Sequence, residues 1–334
     1  MNIVTGATGH LGANLVRRLL EQGEEVRVLV RRESRALEGL EIERVKGDIR
    51  DRESLKKAFK GADRVYHLAA MISIVGDPDG QVRAVNVGGS EAVARVALES
   101  GVSRLIYCSS IHAFNMRDHS HPIDENSARV NDTPGMANAY DRSKSAAELK
   151  VRAIVKEGLD AVIVHPTGVI GPWDFAPSRM GKIFLNLYRR SMPALIDGGF
   201  DFVDVRDVVH GMIAAADKGR TNESYILSGQ YQAIAEVARI AGAVTGVGAP
   251  RFEVPMWIAK LAAPLMQSVA KVSNSEPLYT SESLEALRAN PQIDHAKASR
   301  ELGYHPRPIR ESIFDLYEWF VREGFLPAET RLHR

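Results

Sequence analysis

The chain has 334 residues, 45% of them apolar and 25% charged, with 43 Lys and Arg against 42 Asp and Glu. That balance excludes a general attraction to nucleic acid or to membrane surfaces, and the length allows one large or two modest domains with ample core. A single cysteine, Cys108, excludes an intrachain disulfide and fits a reducing, cytoplasmic setting.

The first residues, MNIVTGATGHLG, read as a strand and not as a leader. Ile3 and Val4 begin the strand, and Gly6, Gly9 and Gly12 follow at intervals of three before an apolar-periodic helix. A strand that turns through glycines into a helix N-terminus is an anion site, because free backbone N–H groups and the helix dipole face the ligand. Glycine is also what lets a pyrophosphate approach the main chain. The spacing is GxxGxxG, not the GxGxxG of other dinucleotide sites, and turn glycines would read the same way alone.

Leu11, Leu15, Val16, Leu19 and Leu20 line one helical face that Gly23 stops. Val26, Val28, Leu29 and Val30 form a second strand, apolar on both sides as a covered parallel sheet requires. It ends in Arg31-Arg32, where an acid would favour the ribose of NAD and an arginine accommodates the 2′-phosphate of NADP. The expected cofactor is therefore NADP over NAD; the plainer reading is a solvated basic turn neutralised by Glu33. After the third strand, Asp48 either accepts from an adenine amino group, with Ile49 on the ring, or caps the segment beginning at Arg50. Val65–Ala69, Leu105–Cys108 and Ala161–Val164 are the later strands, with helices at Ser90–Glu99 and Tyr140–Lys156. The alternation predicts a doubly wound parallel α/β sheet of the Rossmann type, with ligands beyond the carboxyl ends of its strands.

At those ends, small residues in Leu68-Ala69-Ala70 leave room for a cofactor, and His67 reads as a buried, hydrogen-bonded histidine. The fifth strand ends Tyr107-Cys108-Ser109-Ser110, with Cys108 expected to be inert core. Tyr140 and Lys144 share one helix face at i and i+4. His112, His119 and His121 lie in a polar, turn-rich region without a second cysteine, and no metal site is expected there. No apolar run is long enough to span a bilayer; Val254–Val272, interrupted by Lys260, Pro264, Gln267 and Lys271, reads as a packed helical segment.

With these motifs in order (TGATGHLG, GDIRD, YHLAA, CSS, YDRSK, HPTGVIGP, FVDVRDV and Leu302-Gly303-Tyr304), the chain resembles the extended short-chain dehydrogenase/reductase superfamily over nearly its whole length. The resemblance implies a Rossmann-type domain over 1–172, to which 204–229 return, and a smaller, mostly C-terminal substrate-binding lobe over 173–203 and 230–334. It implies cofactor contacts at Gly6, Thr8, Gly9, His10, Leu11, Gly12, Arg31, Arg32, Asp48, Ile49, Leu68, Ala69, Ala70, Tyr140, Lys144, Pro166 and Val169. Tyr140 would be the general acid or base. Lys144 and the positive nicotinamide ring would lower its phenol from an ordinary pKa of about 10, and Lys144 would hold the ribose hydroxyls. Ser110 would polarise the substrate carbonyl; Ser109 is disfavoured because strand side chains alternate. Met71, His112, Phe114, Trp173 and Phe200 are candidate substrate contacts.

Sugar-nucleotide epimerases and dehydratases carry an arginine at the position of Phe200, where it grips the substrate pyrophosphate. Its absence makes the chain similar to dihydroflavonol-reductase-like and 3β-hydroxysteroid-dehydrogenase-like members, which act on a small apolar or aromatic carbonyl or alcohol. The alternative is a sugar-nucleotide epimerase or dehydratase with tightly bound NAD. A homodimer through the helices near Ser90 and Tyr140 is a further expectation from the resemblance.

Overall fold

The computed structural model describes residues 1–131, 137–192, 194–250, 252–261 and 281–334. β1 (Asn2–Thr5) runs into α1 (His10–Glu21), whose Leu15, Val16 and Leu19 are buried under the sheet. Then come β2 (Val26–Val30), β3 (Glu43–Lys46), α2 (Arg52–Phe59), β4 (Arg64–His67), α3 (Gly89–Glu99), β5 (Arg104–Cys108), α4 (Ala139–Val155) and β6 (Ala161–Pro166). The lobe elements follow: β7 (Gly168–Ile170), α5 (Arg179–Tyr188), β8 (Leu195–Ile196) and β9 (Gly199–Asp204). α6 (Val205–Lys218) and β10 (Ser224–Leu227) return to the large sheet.

That sheet has seven strands in the order β10-β6-β5-β4-β1-β2-β3, all parallel. Its strands are buried on both faces, so they read as unbroken apolar runs, not alternating ones. Helices α1 and α6 cover one face and α2, α3 and α4 the other, as the two separate apolar clusters show. The register sets Thr5 beside His67, His67 beside Tyr107, and Cys108 beside Val164. Four carboxyl ends are thus level at the point where the strand order reverses, which is where such sheets bind ligands.

A second layer is built by β11 (Gln230–Ala233), β9 and β7, with α5, α7 (Ile234–Thr245) and α8 (Ile309–Arg322) around a third apolar cluster. There Ile313, Leu316, Tyr317 and Phe320 form a buried stripe along α8. The C-terminal region does not pack as one unit. Ala298, Leu302 and Tyr304 belong to the core of the large sheet, against α6 and β10. Within Val254–Val272, residues 256–261 are helical and 262–272 lie outside the described residues.

Candidate active site

Beyond β1 the chain turns through Gly6 at φ +75°, a left-handed conformation that glycine adopts without strain. A Cβ on Gly6 would stand 2.6 Å from the Ala69 amide nitrogen, and one on Gly12 would stand 2.2 Å from the Gly6 carbonyl oxygen. The loop is therefore pressed against the end of β4 and against its own helix, with space for hydrogen only. Gly9 caps α1 with no side-chain hydrogen bond, and no acid stands in the first turn. The first-turn N–H groups keep their donors for an anion. Gly6, Gly9, His10, Leu11 and Gly12 line a cavity of about 600 Å³ together with Leu68 and Ala70. Donors without a competing carboxylate, in a cradle that a Cβ would fill, fit a dinucleotide pyrophosphate. Thr8 is exposed and outside the cavity wall; Ala69 lies behind Gly6.

Arg31 and Arg32 stand exposed at the end of β2, and among the described residues neither makes a side-chain hydrogen bond or ion pair. Glu33 does not neutralise them; it faces Arg44 at 3.8 Å. Asp48 is held by Arg50, whose Nε and backbone N–H both donate to Oδ1 at 2.9 Å. That hydrogen bonding keeps the Asp48 carboxyl below its usual range. The helix cap that Asp48 was a candidate for is Asp51, which accepts from the Glu53 N–H at 3.1 Å. Ile49 is buried, and a Cβ on Gly89 would lie 2.5 Å from its Cδ1; its side chain fills core between β3 and α3.

β5 stops at Cys108, and the Ser109 N–H donates to the Val164 carbonyl at 2.9 Å. The chain stays extended through Ser110 (φ -161°, ψ 156°), and both serines border the cavity, but the Ser109 hydroxyl is buried away from it, without a partner among the described residues. Ser110 caps a short 3₁₀ turn, Ile111–Ala113, its Oγ accepting from the His112 N–H at 3.2 Å. The Ser110 side chain is close enough to the Tyr140 phenol to act on its ionisation. Lys144, one turn along α4, donates from Nζ to the Cys108 carbonyl at 3.0 Å. The trio Ser110, Tyr140 and Lys144 thus converges in the wall of the cavity that the glycine loop lines.

Burial holds the Tyr140 phenol above its ordinary range, with the Ser110 side chain opposing. Burial also pulls the Lys144 ammonium down. In the protein alone desolvation is the largest influence on the Tyr140 phenol. Burial lowers His112, but the neighbouring Asp141 carboxylate more than reverses this. His112 Nδ1 is 3.0 Å from Asp141 Oδ1, and its ring meets Tyr140 edge-on at 5.7 Å. His67 bonds Thr5 Oγ1 at 2.7 Å and Ser90 Oγ at 3.0 Å; burial pulls it down to about 3.

Of the candidate substrate contacts, His112 and Phe200 line the cavity, as do Pro166 and Val169. Three others do not. Phe114 is buried with Ile111, Ile123 and Ile226, under the Arg129 guanidinium, because the 3₁₀ turn carries it away from the opening. Met71 is fixed through its backbone to Asn86, leaving Ile72, Ser73 and Ile74 at the wall. Trp173 stacks on Trp319 at 4.6 Å and on the Arg17 guanidinium at 4.2 Å, joining α1 to the lobe. Met116, Met180, Ile183, Asp201 and Leu287 also line the cavity. No chemical motif marks them in the sequence, though Met180 and Ile183 share one face of α5.

A glycine loop at a helix N-terminus and a serine, tyrosine and lysine that border one cavity suit an NAD(P)-dependent oxidoreductase of the extended short-chain dehydrogenase/reductase type. The chain belongs to the NAD dependent epimerase/dehydratase family, whose model matches residues 2–228. It is similar to the sterol demethylase protein B of Methylococcus capsulatus, at 37% identity over 97% of this chain and 99% of that one. It is also similar to a putative dihydroflavonol 4-reductase of Synechocystis, at 32% identity over 98% and 96% of the two chains. The crystal structure of gox2253 matches with a TM-score of 0.84 at 32% identity, over 97% of this chain and 98% of that one.

Proposed function

We propose that the enzyme uses NADP to reduce a ketone or aldehyde, or to oxidise the corresponding alcohol, on a largely apolar or aromatic small molecule. The observation that carries this reading is the shared cavity: Ser110, Tyr140 and Lys144 in one wall, with Ile74, Met180, Ile183, Phe200 and Leu287 elsewhere in it. The names of the two relatives, a sterol-processing protein and a flavonoid reductase, suit such a wall. Arg179 and Lys182 also reach the cavity and would meet a polar substituent.

NADPH, when bound, supplies the hydride. The Ser110 hydroxyl donates to the substrate carbonyl oxygen, and Tyr140 delivers its proton to that oxygen as negative charge develops. Lys144 would stabilise the phenolate left behind and hold the ribose hydroxyls. Gly6, Gly9 and the first turn of α1 would hold the pyrophosphate, and Arg31 and Arg32 would take the 2′-phosphate.

The test is NADPH consumption with a panel of aromatic and polycyclic ketones, with one alcohol formed per NADPH. Turnover with every ketone absent, despite measurable NADPH affinity, would overturn it. The family also holds epimerases and dehydratases. Against that reading, Phe200 stands where an arginine would grip a pyrophosphate, and Arg206 is held at 2.7 Å by both Asp204 and Asp315. Tightly copurifying NAD with binding of a UDP-sugar would reinstate it.

A further inference from the structure

His165 lies at the end of β6, wholly buried, and takes no part in the chemistry above. Its Nδ1 is 3.1 Å from the Ser110 carbonyl oxygen, and its Nε2 is 3.0 Å from Ser224 Oγ. A carbonyl only accepts, so Nδ1 must carry a proton. Ser224 Oγ already receives the Arg129 and Arg152 guanidinium groups, at 3.2 and 2.7 Å. Its own proton is therefore the one left to point at Nε2. Each donor and acceptor in this chain is matched by a neutral imidazole with its proton on Nδ1.

The same two arginines hold Glu148, with Nε of Arg129 at 3.1 Å and Nε of Arg152 at 3.0 Å from Oε1. Glu148 follows Tyr140 and Lys144 at intervals of four on α4, so it shares their face. Its second oxygen stands 3.6 Å from His165 Nε2, beyond hydrogen-bond reach. Phe114 closes the other side, edge-on to the imidazole at 4.8 Å. Among the described residues the Ser110 carbonyl has one other partner, the Ala113 N–H at 3.0 Å, within the 3₁₀ turn.

We propose that His165 is a positioning residue for the proposed carbonyl chemistry: as the Nδ1–H tautomer it fixes the backbone of Ser110 and, through Ser224 and the two arginines, registers that serine against the helix that carries Tyr140 and Lys144. The ladder to β6 reaches Ser109, whose N–H donates to the Val164 carbonyl. One residue on, the imidazole of the same neighbouring strand adds a hydrogen bond to the Ser110 carbonyl. This assignment rests on the reading of Ser110 as a catalytic residue.

Three variants and one spectroscopic measurement test it. His165→Leu removes the donor at similar volume and should lower kcat for ketone reduction about tenfold or more, with NADPH affinity within twofold of the parent. His165→Asn, whose amide nitrogen can take the place of Nδ1, should recover most of that loss. Combined with Ser110→Ala, His165→Leu should cost less than twofold further, because its effect passes through the serine; a full additional tenfold would show a merely structural role and overturn the proposal. The nitrogen-15 shifts of His165 in the parent enzyme at neutral pH should show a protonated Nδ1 and a bare Nε2. An Nε2–H tautomer or an imidazolium overturns the proposal even if His165→Leu fails to fold. If the parent enzyme reduces no ketone, the proposed activity falls, and these shifts still decide whether His165 donates to Ser110.

Discussion

A phenol, an ammonium and a hydroxyl carry the proposed chemistry, and each has a distinct physical burden. The phenol is buried and therefore resists ionisation, so it is built to give a proton, and to lose it only when positive charge is brought near. Tyr140→Phe should leave NADPH binding intact and lower turnover by about a hundredfold, the range of a lost general acid; stopped assays beside a binding titration check both halves. The guanidinium groups of Arg31 and Arg32 make no side-chain hydrogen bond or ion pair among the described residues, Arg31 acting on Asp48 through charge alone, so their donors remain available to a phosphate. Replacing both by Ala should remove the preference for NADPH over NADH. The expected change is about tenfold to a hundredfold in relative kcat/KM, given roughly 1.5–3 kcal/mol for a charged hydrogen bond. An unchanged ratio would return the pair to a solvated basic turn.

The glycine loop and α1 act as one element. Gly12 touches the Gly6 carbonyl so closely that a methyl group would overlap backbone, which cannot rotate away. Gly12→Ala should therefore separate the loop from the helix, at a cost of roughly 1–3 kcal/mol as for other overpacked sites. It should also abolish the thermal stabilisation that NADPH gives by binding the native state. A urea midpoint and a thermal shift in the same variant separate the two effects. The start of α4 is the second such element: Asn138 caps it and Ser110 caps the turn opposite. Two capping side chains thus orient the face that carries Tyr140 and Lys144.

At the scale of the molecule, the sheet buries two uncharged histidines. Burial holds His67 near 3 and His165 near 4, against an ordinary 6.5. Below about pH 6.5 the unfolded chain takes up protons that the folded one refuses, so stability falls with acidity from there toward pH 4 and is intact above it. Across the same interval the buried Asp201, pushed up by burial to about 6, takes up a proton while folded and offsets part of that fall, whereas Glu148 is held below its ordinary range and adds nothing there. The urea midpoint should drop across that interval, and His67→Gln should flatten the drop. A flat profile in the parent protein would show that these imidazoles are protonated while folded. Among the described residues no helix is long and apolar enough to cross a membrane.

The sequence by itself determined the parallel sheet, the cradle and the trio, because these depend on local signals: two-sided apolar runs, glycine spacing, and an i, i+4 pair after a polar strand end. It did not determine the substrate wall. Phe114, Met71 and Trp173 look like pocket residues in the chain, but a 3₁₀ turn, a backbone clamp by Asn86 and a stack on Trp319 take them elsewhere. Nor could it show that His165 reaches back to the Ser110 carbonyl. Those features join segments tens of residues apart, and only close packing of the assembled sheet and lobe decides which side chains remain free to meet a ligand.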